Sequence, residues 1–283
     1  MAFSAERLLA HTFPEIRHSY GERDAILYAL GIGLGTDPLD DADLAFLDET
    51  RLKVLPTMAV TLSSPGMWVR NPDLGIAWLK LLHVGQSARF HRSLPPNGEV
   101  IGQARVRTVE DRGEGRGAEV VVERRILDAA SGEIVCVLDQ TLLLRGNGGF
   151  APHPAQRSAR PAPPDRAPDM TAAYQTSPRA ALIYRLSGDW NPLHIDPAAA
   201  AKAGFARPIL HGLASYGIAG WVILKALAEA NPGRLASLAL RFASPVTPGE
   251  RLDFDIWQTD ETVAFLARVG DRVVLDQGVA TLR

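Results

Sequence analysis

Cysteine is almost missing: the 283 residues contain one, Cys136. A single thiol excludes an intrachain disulfide framework and a cysteine-rich metal site. It fits a reducing compartment, and the cytoplasm is the expected location. Cys136 lies in EIVCVLDQTLLL, a strand-like run, so a buried, inert thiol is expected there rather than a catalytic one. Charge of one sign is missing too, since 30 Lys and Arg stand against 32 Asp and Glu for a net charge of −2. No basic field exists to draw nucleic acid or an anionic membrane, so neither is expected as a partner. No apolar run has the length to cross a bilayer. The opening MAFSAERLLAHTF carries Glu6 early and does not read as a secretory signal. GIGLG, from Gly31 to Gly35, lacks the spacing of a dinucleotide-binding loop.

A hydrophobic share of 46% is ordinary for a globular chain. Residues 151–170 stand apart: six of the twenty are proline, and large apolar side chains other than the final Met170 are missing. Such a segment packs no core and is expected to run extended along the surface. It divides the chain into 1–150 and 171–283, each long enough for a domain. A short repeat links the two parts. RFHRSLPPNGEV, from Arg89 to Val100, matches RFASPVTPGERL, from Arg241 to Leu252, in Arg-Phe, a proline-bearing turn and Gly-Glu. The similarity points to a duplicated unit of strand, turn and strand.

The second part has a readable order. TSPRAALIYRLSGD is expected as a short strand-like approach, and NPLHIDPAAAAKAG as a loop turning into an alanine-rich helix. ILHGLASYGIAGWVILKALAEA is a long apolar helix ending before Asn231-Pro232-Gly233. LASLALRFAS, ERLDFDIWQT, ETVAFLARVG and DRVVLDQGVATL then read as four strands. An apolar helix followed by consecutive strands predicts an α+β fold, with antiparallel sheet wrapped around a buried helix. The first part repeats this more loosely, with DAILYALGIG leading into an irregular segment. Its acidic stretch DPLDDADLAFLDE is expected to face solvent.

The run from Tyr184 to Gly212 holds the chemistry. It carries an acid, Asp189, an amide, Asn191, and an imidazole, His194, with Pro192 preventing a regular helix through them. A constrained loop can aim Asp189 and His194 at one point, which makes an acid–base pair able to take a proton from water and deliver one elsewhere. Gly212 follows His211 at the expected start of the long helix. An amide there is unpaired, favours developing negative charge and admits a close ligand. A metal role for Asp189, His194 and Asp196 is set aside, because no helical ligand pair accompanies them.

This run closely resembles the signature of the MaoC-like, or hydratase 2, family. The matching residues are Tyr184, Ser187, Gly188, Asp189, Asn191, Pro192, Leu193, His194 and Ala200, and Pro208–Gly212 (PILHG) matches downstream. The resemblance implies a tandem hotdog fold with the signature only in the second unit, leaving the first to shape the acyl pocket. It implies hydration of a trans-2-enoyl-CoA to the (3R)-3-hydroxyacyl-CoA, with no cofactor beyond the CoA of the substrate, and a homodimer. Asp189 and His194 would hold the water, Asn191 would position it or the acyl part, and the Gly212 amide would hold the thioester oxygen. Phe242 would wall the site. LLHVGQ resembles a family Leu-His-Gly-Glu-Gln stretch and would bring His83 and Val84 near the ligand; here valine and glycine replace glycine and glutamate, which puts the contact by Val84 in doubt.

Several residues carry two readings. Trp190 and Phe205 either line the acyl pocket or seal the loop against the helix, and Pro192 and Leu193 are expected with Trp190 as substrate contacts. His211 either orders the helix start or takes part in the site. Lys202, Arg207 and Arg241 either meet CoA phosphates or are solvated charges. Competing functions are a hydratase for a branched, carboxylated or steroid-side-chain enoyl-CoA, an acyl-CoA thioesterase, and a non-catalytic acyl-CoA binder.

Overall fold

The structure is a computed structural model that describes residues 2–153, 155 and 163–283. The period-two runs become strands: β1 (Ile16–Tyr20), β2 (Leu81–Phe90), β3 (Gly98–Asp111), β4 (Ala118–Asp128) and β5 (Ile134–Leu144) in the first half. The second half supplies β6 (Met170–Gln175), β7 (Leu235–Phe242), β8 (Arg251–Thr259), β9 (Thr262–Val269) and β10 (Arg272–Leu282). All ten join one sheet in the order β1-β3-β4-β5-β2-β7-β10-β9-β8-β6. Each half uses the same internal order, with its second strand at the centre of the whole. There β2 and β7 pair antiparallel, Gly85 opposite Arg241 through Arg89 opposite Ser237. The two Arg-Phe and Gly-Glu repeats fall on the matching β2–β3 and β7–β8 connections.

The sheet wraps α6 (Gly212–Leu227), and every residue from Ala214 to Leu224 is buried. A helix apolar on all sides has no face to offer water. Two of its three glycines set how closely the first half packs: a Cβ on Gly217 would lie 2.6 Å from the Tyr28 hydroxyl, and one on Gly220 would lie 2.6 Å from Thr57 Cγ2. Tyr28 comes from α2 (Glu22–Ile32), which follows the short α1 (Ala5–Leu9) and precedes the short α3 (Asp41–Leu44). Thr57 comes from a buried 3₁₀ helix, Pro56–Thr61, which lies between β1 and β2 as α6 lies between β6 and β7. The local sequence explains why this piece is shorter than α6. PTMAVT starts with proline, has three β-branched residues and runs into Ser-Ser-Pro-Gly, too short and stiff a run for a central helix. The tandem hotdog architecture therefore holds with one long helix among the described residues, in the second unit.

Two local expectations are corrected. TSPRAALIYRLSGD is not a strand: it forms α4 (Ala180–Tyr184) and a 3₁₀ turn, Arg185–Ser187, closed by Gly188 at φ 112°. Ala180, Ala181 and Tyr184 bury one helical face, which a short stretch conceals within apparent alternation. The strand that opens this unit is β6, in the six residues before it. The acidic stretch is not wholly solvated, because Asp43 is buried and Lys225 bridges it to Asp40. Cys136 is buried, and burial pushes its thiol up to about 12, leaving it unreactive. Of the proline-rich seam, Ala151 is held by the Asp111 carboxylate at 2.6 Å, and the Arg166 carbonyl accepts the Trp257 indole N–H at 2.9 Å. The extended course expected at 154 and 156–162 lies outside the described residues.

Candidate active site

The signature loop is a chain of short-range caps. The Asp189 carboxylate accepts the Asn191 amide, and the Asn191 carbonyl oxygen accepts the Leu193 amide, each at 3.1 Å. Pro192 occupies the first position of the 3₁₀ helix Pro192–His194, where a missing N–H costs nothing. Asp196 caps α5 (Pro197–Lys202) through the Ala198 amide at 2.8 Å. The pattern Asp-x-Asn-Pro-x-His thus fixes the loop from its own side chains. It leaves Asp189 partly exposed and His194 buried.

His194 points Nδ1 at the Ile209 carbonyl, 2.8 Å away, so Nδ1 carries the proton and Nε2 keeps its lone pair. Burial holds its pKa below the usual value, against the opposing pull of the Ile209 carbonyl and Asp189. One ligand-type atom each from Asp189, His194 and His211 lie within 4.8 Å of one another. A single water can bridge such a gap between Asp189 and His194. A shared metal ion fits poorly. The two imidazoles are stacked at 3.7 Å and 28°, so their in-plane lone pairs do not converge at a bonding distance of about 2 Å.

Beside this pair begins α6. The Gly212 amide is its first, with no acceptor one turn back. A Cβ at Gly212 would lie 3.3 Å from the Phe242 ring. Phe242 is half-buried and meets His83 edge-on, ring centroids 5.1 Å apart. His83 reaches the site from the other half on a bulge in β2, where the register with β5 shifts between His83 and Gly85. Its Nε2 donates to the Gly85 carbonyl at 2.9 Å. Burial pushes its pKa down to about 4, while Asp189 pulls the other way.

The structure therefore gathers Asp189, His194, His211, Gly212, Phe242 and His83. Val84 is buried in the bulge. Asn191 is exposed with its carbonyl oxygen committed to the loop, so its NH₂ is the group it can offer a ligand. Trp190 is exposed and lies under the Arg185 guanidinium at 4.3 Å. Pro192 is exposed and Leu193 half-buried. Of the three basic residues, Lys202 is exposed at the end of α5, Arg207 lines a groove with Pro178 and Thr247–Glu250, and Arg241 stands in β7 between Gly85 and Asp276. Sequence reasoning passed over Arg185, three residues before Gly188 in the same signature; only folding brings its charge against His211 and Trp190.

Fold and site together define a double hotdog protein with an Asp/His loop on its second unit. Residues 18–146 match the MFE-2 hydratase 2 N-terminal domain, and residues 159–277 match the MaoC-like domain. The chain is 40% identical to 3-hydroxyacyl-thioester dehydratase Y of Mycobacterium tuberculosis, over 98% of each chain. It is 36% identical to peroxisomal enoyl-CoA hydratase 2 of Arabidopsis thaliana, over 95% of this chain and 92% of that one. A solved MaoC-like dehydratase from Phytophthora capsici superposes with a TM-score of 0.85 at 31% identity, covering 98% of both. The protein belongs to the MaoC-like hydratase 2 family.

Proposed function

We propose that the protein hydrates trans-2-enoyl-CoA thioesters to (3R)-3-hydroxyacyl-CoA and runs the reaction in either direction. The observation that carries this reading is the pairing of Asp189 with a neutral His194, within reach of one water, beside the free amide that heads α6. The relatives named as enoyl-CoA hydratase and hydroxyacyl-thioester dehydratase support it.

The protonation state of His194 gives the order of events. Nε2 takes one proton as the water oxygen bonds to C3, while the Asp189 carboxylate accepts a hydrogen bond from the second O–H, which stays on the product, and stabilises the imidazolium. The π electrons move onto the thioester oxygen, which the Gly212 amide receives. The imidazolium then returns its proton to C2 on the same face, and the imidazole is neutral again. His83 and Phe242 wall the thioester, and the Asn191 NH₂ orients water or acyl group. Every proton-handling group belongs to the chain, so no cofactor beyond the CoA of the substrate enters the scheme. Lys202, Arg207 and Arg241 remain proposed contacts for CoA phosphates.

Two units, 1–150 and 171–283 joined by 151–170, agree with the repeated strand order. No helix among the described residues is long and apolar enough to cross a membrane. A cytoplasmic place rests on the lone buried thiol, and a homodimer on family resemblance. The test follows the enoyl-thioester absorbance with crotonyl-CoA, a medium-chain enoyl-CoA and a bulky branched enoyl-CoA. Loss of the band without free thiol supports hydration. Thiol release reassigns the protein as a thioesterase. Inertness toward all three removes the general straight-chain reading.

A further inference from the structure

His211 is oddly used. It holds the N-cap position of α6, yet its side chain makes no capping bond. Its ring is instead almost fully buried, 1% exposed, and lies against the machinery. One face stacks on His194 at 3.7 Å. Nε2 lies 3.3 Å from the main-chain carbonyl of Asp189, a contact that needs the proton on that nitrogen. Nδ1 is buried with no partner among the described residues. Its own main chain leads directly into Gly212. One side chain therefore touches the residue proposed as base, holds the backbone of the residue proposed to orient the water, and precedes the residue proposed to hold the oxyanion.

We propose that His211 is a positioning residue that fixes Asp189, His194 and Gly212 in one relation, acting through its ring stack and its bond to the Asp189 carbonyl. The inference rests on the hydratase reading for its kinetic consequences and on geometry alone for its structural ones. The groups around the two rings support a neutral His211. Asp189 lies on the loop, Arg185 on the 3₁₀ turn, Tyr184 on α4 with its ring 5.0 Å away, and His194 beneath. His83 faces Asp189 from β2, and Tyr28 backs Tyr184 from α2. Burial, His194 and Arg185 disfavour a charge on His211, which outweighs the opposing pull of Asp189 and leaves its pKa at about 4. The ring is then a fixed neutral spacer. It covers one face of His194 and keeps water from it, which helps to hold that imidazole neutral.

Three variants separate the two contacts. His211→Phe keeps a ring over His194 and loses the bond to Asp189. His211→Gln can restore a donor near Nε2 and loses the ring. His211→Ala loses both. For a positioning role, kcat falls about tenfold in the first two and about a hundredfold in the third, with KM little changed. The acid limb of kcat/KM moves to higher pH in His211→Ala, where water reaches His194, and stays in place in His211→Phe. NMR titration of the His194 ring in the same proteins reads that shift without any turnover. A failure of the hydratase reading, seen as an inactive wild type, is thereby distinguished from a failure of this one. Folded His211→Ala with wild-type kcat and an unmoved His194 titration overturns the proposal. So does an equal fall in all three variants that tracks lost folded protein in thermal melts.

Discussion

His194 donates its Nδ1–H to the Ile209 carbonyl at 2.8 Å, and this bond sets which nitrogen can act on a water. The ring is buried and its pKa lies below the ordinary histidine value of about 6.5. Protonation removes the base, so hydration persists below pH about 6.5 and declines only as pH falls through the depressed pKa. Stability follows the same sign. In the window between the depressed pKa and about 6.5 the unfolded chain binds more protons, so unfolding free energy rises with pH there. His211, held near 4, widens the window downward. Each unit of depression contributes about 1.4 kcal/mol, lost progressively on acidification. Urea unfolding between about pH 7 and about pH 4 checks this; a flat profile contradicts it.

Removal of either member of the pair is expected to abolish most turnover without unfolding the protein. His194→Ala and Asp189→Asn should each lower kcat by about 10²–10⁴-fold. Asp189 sits partly exposed on a loop whose other caps, Asn191 and Asp196, survive the change. Melting temperatures near wild type and intact circular dichroism should accompany the loss. Wild-type kcat in either variant removes that residue from the mechanism.

Gly212 tests the other half of the site. An added Cβ would stand 3.3 Å from the Phe242 ring, a contact relieved by a small ring movement. The same methyl intrudes where the thioester oxygen must approach the amide. Gly212→Ala should therefore lower kcat/KM by about tenfold or more while shifting stability by only about 1 kcal/mol. Substrate kinetics and denaturant titration on one sample separate the two. Equal catalysis in the variant places the oxyanion elsewhere.

Much of this was legible in the residues, and the exceptions have physical causes. The four strands after α6 and the alanine-rich α5 follow from local periodicity, and the loop chemistry follows from Asp, Asn and Pro capping one another. What failed was decided by tertiary contact. Alternation in TSPRAALIYRLSGD masked α4, whose buried face exists only because α2 lies against it: a Cβ on Gly31 would be 3.0 Å from Tyr184 Cα. Asp43 reads as surface charge until Lys225, 182 positions away, bonds to it. The stack of His194 on His211, 17 residues on, has no periodic signal, because a loop and a helix start meet there.

The Lys225 clamp gives a stability prediction remote from the chemistry. It bonds Asp40 and, at 3.2 Å, the buried Asp43. Lys225→Met leaves the Asp43 carboxylate buried without that cation, whereas Asp40→Asn leaves Asp43 paired. The first should cost about 1–2 kcal/mol, discounted for the partial exposure of the lysine, and the second less. Urea midpoints rank the two, and the reverse ranking contradicts a buried-charge origin.

Gly217 makes the sharpest test of how the halves are packed. Helix propensity alone favours Gly217→Ala by about 1 kcal/mol. Here the new Cβ would lie 2.6 Å from the Tyr28 hydroxyl and 2.8 Å from Ile32 Cγ2, both on α2. Overpacking should outweigh propensity, for a net loss of about 1–3 kcal/mol. Tyr28 then supplies the control. Its hydroxyl is buried beside Thr57, and among the described residues neither oxygen has a partner of hydrogen-bonding geometry. Tyr28→Phe should consequently be neutral or stabilising in the wild type. In the Gly217→Ala background it should recover part of the loss, and only part, because Ile32 still meets the methyl. A double-mutant cycle in urea should show a favourable coupling of at least about 0.5 kcal/mol. Strict additivity would mean that α2 yields to the methyl as a body, and the first half would then be docked on α6 more loosely than these distances require.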